Sequence, residues 1–273
     1  MITWKQSLPG YEWLVHQIWY LEVEKDEEIE SLPKLIPNPR AHIILSPSAQ
    51  AYRYYGDNGD YSGLGCHLLT ASEQILTLED SAPLKRIGIT LRPEALYLLH
   101  KNSSDKANHI GWDTWLDTLF PAQQKDELIE QSDRQAIINR IQGLVNNIKL
   151  PTVGDRAYQS THQAIGILES GSSDCDIETL AELCACSRRT LERNFRLVTG
   201  LTIKKFQMMM NLENIVLDLY QHNKPIDWAE FSQRYGFSDQ SHLIRQLKQQ
   251  LKKTPASYLK QRDLTIDIYG DFE

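Results

Sequence analysis

Ile177-Glu-Thr-Leu-Ala-Glu-Leu-Cys-Ala-Cys-Ser-Arg-Arg-Thr-Leu-Glu-Arg-Asn-Phe-Arg-Leu-Val-Thr-Gly200 is the stretch on which the reading of this chain turns. Ile177, Leu180, Ala181 and Cys184 recur at helical spacing, so Ile177 to Cys184 predicts a two-turn helix with Asp176 or Asp174 as its N-cap. Ala185-Cys186 leaves room only for a turn. Ser187 is again an N-cap residue, and Arg188 to Thr199 predicts a second helix that stops at Gly200. Leu191, Phe195 and Val198 share its inner face, whereas Arg189, Arg193 and Arg196 share the outer one, with Arg188 at the leading end. Two helices across a tight turn, the second basic on its free face, have the geometry of a helix-turn-helix whose second helix enters a major groove.

The pattern returns about 51 residues later, which a merely solvated basic helix does not require. Ile226 to Tyr235 supplies a first helix, Gly236-Phe237 the turn, Ser238 or Asp239 the cap, and Gln240 to Leu251 the second helix. Ala181 aligns with Ser232, Ala185 with Gly236 and Ser187 with Ser238; after one extra residue, Leu191 aligns with Leu243 and Phe195 with Leu247. Thr202 to Tyr220 reads as one connecting helix about 28 Å long, enough to hold two reading helices near one DNA turn, roughly 34 Å, apart. The expected contacts to DNA are Ser187, Arg188, Arg189, Thr190, Arg193, Asn194 and Arg196 in the first copy. In the second they are Ser238, Gln240, Ser241, His242, Arg245, Gln246 and Lys248, with Gln249 also on the exposed face. Arg196 and Lys248 suit phosphate, while arginine toward guanine and glutamine or asparagine toward adenine suit base edges.

At these residues the chain resembles the AraC/XylS family of bacterial transcription regulators. Gly236-Phe-Ser-Asp-Gln-Ser241, Leu243, Leu247, Lys248 and Pro255-Ala-Ser-Tyr258 are similar to that family's signature, and Leu180-Ala181, Ser187, Leu191, Phe195 and Gly200 add the first copy. Lys252 stands where the family usually has glycine, Asn211 where its linker helix usually has arginine, and Ser232 where alanine is usual. The resemblance spans Asp174 to Lys260. Upstream, Pro37-Asn-Pro-Arg-Ala-His42 and Leu91-Arg-Pro93 look faintly like motifs of AraC-type sensor domains with a cupin-like β fold, with Asn38, Pro39 and Glu94 breaking the pattern. The resemblance implies an effector or dimerisation domain there and names no effector.

The rest of the chain agrees with two domains. At 273 residues, 41% hydrophobic and 24% charged, it is long enough for two cores and has neither disordered nor fibrous composition. The net charge of −7 conceals opposite halves: residues 1–172 hold 15 Lys+Arg against 22 Asp+Glu, while residues 187–262 hold 14 against 6. That asymmetry points to an anionic partner for one domain. Short β-branched and aromatic runs at 13–23, 41–45, 51–55, 75–78 and 86–91, separated by Pro37-Asn-Pro39, Asp57-Asn-Gly59 and Ser81-Ala-Pro83, predict a β-sandwich or barrel. Helices are expected at 94–101, 113–120, 134–148 and 155–168, followed by a flexible Ser170-Gly-Ser-Ser-Asp174 tether. The resulting architecture is α+β: residues 1–170 as a β-rich, cupin-like domain with a helical extension, 171–262 as an all-α DNA-binding domain with two helix-turn-helix units, and 263–273 as an acidic tail.

Chemistry elsewhere is sparse. Cys184-Ala-Cys186 fits a buried turn better than a metal pair, and Cys66-His67 with His42 and His16 lacks a ligand spacing, so neither metal nor cofactor is expected. Gly59-Asp-Tyr-Ser-Gly63 places its serine one position late for a hydrolase elbow, so no enzyme activity is expected. Trp19, His42, Tyr52 and Tyr54 are the candidate lining of a ligand cavity, against a simpler role as core. With no long apolar run, no signal-like start and four cysteines in all, a cytoplasmic protein without a membrane partner is expected. The expected partners are double-stranded DNA, a small-molecule effector, a second copy of the chain and, for an activator, RNA polymerase. The rivals are a regulator governed by a protein partner and a DNA-repair enzyme carrying the same module.

Overall fold

The computed structural model describes residues 1–29, 32–100, 107–146, 148, 155–170, 175–221 and 226–269. The upstream strands are β1 (Ile2–Gln6), β2 (Val15–Val23), β3 (Lys34–Leu35), β4 (His42–Leu45), β5 (Ala51–Gly56), β6 (Gly59–Leu64), β7 (His67–Leu69), β8 (Leu76–Leu78), β9 (Leu84–Leu91) and the short β10 (Ile110–Gly111). They form two antiparallel sheets, ordered β1-β2-β9-β4-β7-β10 and β3-β8-β5-β6. Alternation along the central strands decides what each face meets. Ile18 and Tyr20 of β2, Ile43 and Leu45 of β4 and Ile87 and Ile89 of β9 face a core closed by Phe120, Leu128, Ile137 and Ile141. Their neighbours Trp19, Leu21, His42 and Ile44 face the second sheet, where Tyr52, Tyr54, Leu76 and Leu78 are buried. The helices above the first face are α1 (Ala95–Leu99), α2 (Leu116–Leu119), α3 (Ala122–Glu130) and α4 (Arg134–Val145). The β-rich expectation holds, with β1, β3, β6, β7, β10 and α3 added to it.

Downstream run α5 (Arg156–Glu169), α6 (Ile177–Leu183), α7 (Arg188–Thr199), α8 (Ile203–Gln221), α9 (Trp228–Arg234), α10 (Gln240–Leu251), α11 (Pro255–Gln261) and α12 (Thr265–Tyr269). The boundary expected after residue 170 does not match the packing, and residues 171–174 of the tether lie outside the described residues. Ala164, Ile165 and Leu168 of α5 share one core with Leu180, Leu191, Phe195 and Phe206. Periodicity identified α5 as a helix but could not say which neighbour its apolar stripe meets, and that neighbour is the first helix-turn-helix. A second core gathers Phe231, Leu243, Leu247, Leu251 and Tyr258. α8 joins them: Ile203, Phe206, Met209 and Met210 enter the first core, and Leu212, Ile215, Val216 and Leu219 the second.

The β domain docks on this helical unit. Arg40 Nη1 donates to both Glu213 carboxylate oxygens, at 2.9 and 2.8 Å, and both side chains are buried. Arg92 Nη1 donates to Glu169 at 2.8 Å, and His162 Nδ1 lies 2.6 Å from the fully buried Glu94, whose carboxylate raises the imidazole pKa.

Two outcomes are expected from this architecture. A fragment of residues 155–273 should melt cooperatively, whereas residues 171–273 should not, because the shorter piece lacks Ile165 and Leu168, each worth about 1.5–3 kcal/mol when buried; circular dichroism melts of the two fragments decide it. The second outcome concerns acid. Burial, aided by Arg40 beside His16 and His42 and by Arg86 near His67, pulls all three imidazoles down to about 3. His67 Nε2 is 2.7 Å from the Tyr54 hydroxyl and Nδ1 is 3.0 Å from the Gly65 carbonyl, a pairing that fits the neutral ring. The unfolded chain takes up protons that the folded one refuses, so this stability is complete above pH 6.5 and is lost as pH falls from there toward 3. Each histidine contributes a slope of up to about 1.4 kcal/mol per pH unit. Melts between pH 7 and 5 should show a falling midpoint, and His67→Gln should make that fall shallower.

Candidate nucleic-acid interface

The two turns repeat bond for bond. In the first, Cys186 N donates to Ala181 O at 3.0 Å and Ala185 N to Glu182 O at 2.9 Å; in the second, Phe237 N donates to Ser232 O at 2.9 Å and Gly236 N to Gln233 O at 3.1 Å. This pair of bonds ends a helix with a left-handed residue, here Ala185 (φ 51°) and Gly236 (φ 73°). Ser187 then accepts from Thr190 N to cap α7, and Asp239 from His242 N to cap α10. Both second helices run for 12 residues and end on left-handed residues, Gly200 and Lys252. Lys252 therefore occupies the conformation that a glycine adopts without strain. Ser232, which departs from the alanine usual in the family that the sequence resembles, satisfies its buried hydroxyl by donating to Trp228 O at 2.6 Å.

Packing then decides which side chains are free. Leu191, Phe195 and Val198 are buried, as are Leu243 and Leu247. Arg189, Arg193 and Arg196 are exposed on α7, and Gln240, Ser241, Arg245, Lys248 and Gln249 on α10. Ser187 and Thr190 are joined hydroxyl to hydroxyl at 2.9 Å, and Ser238 lies 3.3 Å from His242 Nδ1. His242 packs edge-on against Phe237, and Gln246 is half-buried. Arg188 is exposed but ion-paired with Glu178 and Glu192, so its outward reach competes with two carboxylates. Asn194 is corrected: it is buried, and its amide donates to Ser160 Oγ of α5 at 3.0 Å. The packing of α5 against α7, which no local pattern specifies, turns this residue inward.

Between the repeats runs a groove floored by Lys204, Gln207 and Asn211 of α8, with Arg188 on one wall and His242 and Gln246 on the other. Lys204 and Gln207 are absent from the residues expected to meet DNA, yet their three- and four-residue steps to Asn211 along α8 put all three on this one face. Of the ligand-cavity candidates, Trp19, His42 and Tyr54 line one cavity between the sheets, whereas Tyr52 lies against His67, ring centroids 3.9 Å apart.

Residues 180–261 match the family of helix-turn-helix domains, a span that holds both repeats. No curated protein matches the chain. Among solved structures, ToxT from Vibrio cholerae is similar at 12% identity and a TM-score of 0.49, with 97% of this chain and 100% of that chain covered. A transcriptional regulator from Chromobacterium violaceum, described as an AraC-type DNA-binding domain-containing protein, is similar at 24% identity and a TM-score of 0.34, with 38% of this chain and 91% of that chain covered.

Arg189 and Asn194 are expected to respond oppositely to truncation. Arg189→Ala should leave the melting temperature within a degree or two and weaken specific DNA binding by about 1–3 kcal/mol if it contacts a base edge. Asn194→Ala should destabilise the fold by about 1 kcal/mol through the lost bond to Ser160, with sequence preference unchanged. Thermal melts and competition gel shifts on both variants separate the two roles.

Proposed function

We propose that this chain, whose residues 180–261 are an AraC-type helix-turn-helix domain, is a sequence-specific transcription regulator that reads two successive major grooves with α7 and α10 under the control of its β-rich domain. The observation that carries this reading is the equivalence of the two units. They share their turn hydrogen bonds, their helix lengths and the buried positions Leu191/Leu243 and Phe195/Leu247, and at the position between these each second helix presents an exposed arginine, Arg193 and Arg245. Arg188, Arg189 and Arg193 serve one groove with Arg196 on phosphate; Gln240, His242, Arg245 and Gln246 serve the next with Lys248 on phosphate.

A small-molecule effector, rather than a protein partner alone, is favoured by the cavity between the sheets. His42 lies there buried, with Nδ1 3.1 Å from Thr90 Oγ1 and Nε2 without a hydrogen-bond partner among the described residues. An unsatisfied buried nitrogen is costly, and a polar ligand atom in this cavity would satisfy it. A repair enzyme would need a reactive thiol upstream. Cys66, the cysteine of residues 1–172, has its thiol pKa pushed up by burial, away from the thiolate. A second copy of the chain would add two more reading helices through effective concentration, and an activator would in addition meet RNA polymerase.

The test is a gel-shift selection from random duplexes with the full chain at low salt. The expected result is an enriched site whose affinity falls steeply as salt rises, because each neutralised phosphate releases counterions. Arg189→Ala should relax preference at one end of that site and Arg245→Ala at the other, about 10 base pairs away. Recovery of no enriched sequence would overturn the reading.

A further inference from the structure

The last described residues join the two halves of the molecule. Asp263 accepts from the backbone N–H of Lys34 at 2.8 Å, and its carboxylate pairs with Lys34 Nζ at 2.7 Å and with Lys253. Leu264 and Ile266 are buried in the core of the second helix-turn-helix. One turn on, Tyr269 is buried against the β domain instead, packed with Leu21, Val23 and Leu84. Its hydroxyl donates to Asp80 Oδ2 at 2.5 Å, and Asp80 is held by a two-pronged bond from Arg86. Both members of that ion pair are buried, and burial together with the Asp80 carboxylate pushes the phenol pKa up, so Tyr269 stays a donor. Tyr269 and Thr265 also form one wall of the cavity that holds His42, Trp19 and Tyr54.

The cavity left beside Tyr269 is about 60 Å³. Cavities that admit a benzene ring measure about 150 Å³, so an aromatic ligand and the Tyr269 ring exclude one another. What the site recognises can be read from its occupant: a phenol ring between apolar walls, with its hydroxyl on a buried carboxylate–guanidinium pair. From this juxtaposition we infer that Asp263–Tyr269 is a strap acting as an intramolecular ligand of the β domain, and that a small phenol competes with Tyr269 for its site and so releases the second helix-turn-helix. This deepens the effector reading above and rests on it. His42 Nε2 supplies a second polar point on the same cavity for such a ligand. The ligand shifts the molecule only by binding the released arrangement better than the strapped one, and the coupling to DNA is reciprocal.

The experiment uses the full chain, its Tyr269→Ala and Tyr269→Phe variants, and two probes: p-cresol, which is the tyrosine side chain alone, and toluene, which lacks only the hydroxyl. Tyr269→Ala should melt several degrees below wild type, and millimolar p-cresol should restore most of that loss while toluene restores less than half; wild type should respond to neither at that concentration. Affinity for a DNA site selected with the wild type should change at least fivefold in Tyr269→Ala, and p-cresol should not reverse the change, because it fills the cavity without rebuilding the strap. Equal rescue by p-cresol and toluene would overturn the ligand class. Unchanged DNA affinity alongside p-cresol rescue would overturn the strap. If Tyr269→Ala does not fold, Tyr269→Phe, which keeps the ring and loses the bond to Asp80, should let p-cresol alter DNA affinity at lower concentration than in wild type, and equal response overturns the proposal. A chain that binds no DNA under any condition refutes the regulator reading instead, while the melting comparison still decides whether the phenol site exists.

Discussion

Much of this molecule depends on one helix being buried around most of its circumference. α8 contributes its N-terminal half to the core of the first helix-turn-helix and its C-terminal half to that of the second, so the two units cannot move independently without breaking one core. The same helix carries Glu213 into the contact with the β domain. A buried carboxylate is costly to desolvate, and Arg40 offsets that cost only when its guanidinium meets both oxygens. The pair is therefore better regarded as a device that penalises other domain arrangements than as a source of stability. Shift the β domain away from α8, and each charge is left buried or must draw in water.

Around that contact lies a wider set of ionic links, and they differ in what they can do. Arg92–Glu169 and Glu94–His162 tie α5 to the β domain, so the first helix-turn-helix is anchored through its supporting helix. Lys205–Glu73 is partly exposed and Lys252–Asp57 exposed, and both add little beyond orientation. The second unit has a different anchor, the segment after α11, which closes the second core with Leu264 and Ile266 before it reaches the β sheets. Each helix-turn-helix is thus referred to the β domain by a separate route, one through α5 and one through the C-terminal segment. Rigid coupling of the two units through α8 and separate anchoring of each to the β domain give the domain arrangement few soft directions.

The two helix-turn-helix units also show how a repeated fold tolerates different side chains. The left-handed turn residue is alanine in one and glycine in the other, and the left-handed stop is glycine in one and lysine in the other. Strain at Ala185 and at Lys252 is held by the bonds and packing on either side rather than relieved by residue choice. The extra residue in the second copy moves the N-cap from the serine aligned with Ser187 to Asp239, and the helix that follows keeps the same length.

The amino-acid sequence carries openly whatever near neighbours set. It placed α7 at Arg188–Thr199 and α10 at Gln240–Leu251, with Ser187 as a cap and Gly200 as a stop, because caps, stops and apolar periodicity are set within a few residues of the helix they bound. It likewise placed most of the central strands, whose alternation and flanking prolines and glycines are local. Contacts between distant residues settle that α5 supports the first helix-turn-helix, that Asn194 faces Ser160, and that what reads as an acidic tail carries Tyr269 to a carboxylate 189 residues away. Leu264, Ile266 and Tyr269 are apolar residues that the tail must bury, and no local rule names the two surfaces that receive them. A pattern says that a face must be buried; which surface buries it depends on contacts between residues distant in the chain, and those arise only when the chain has folded.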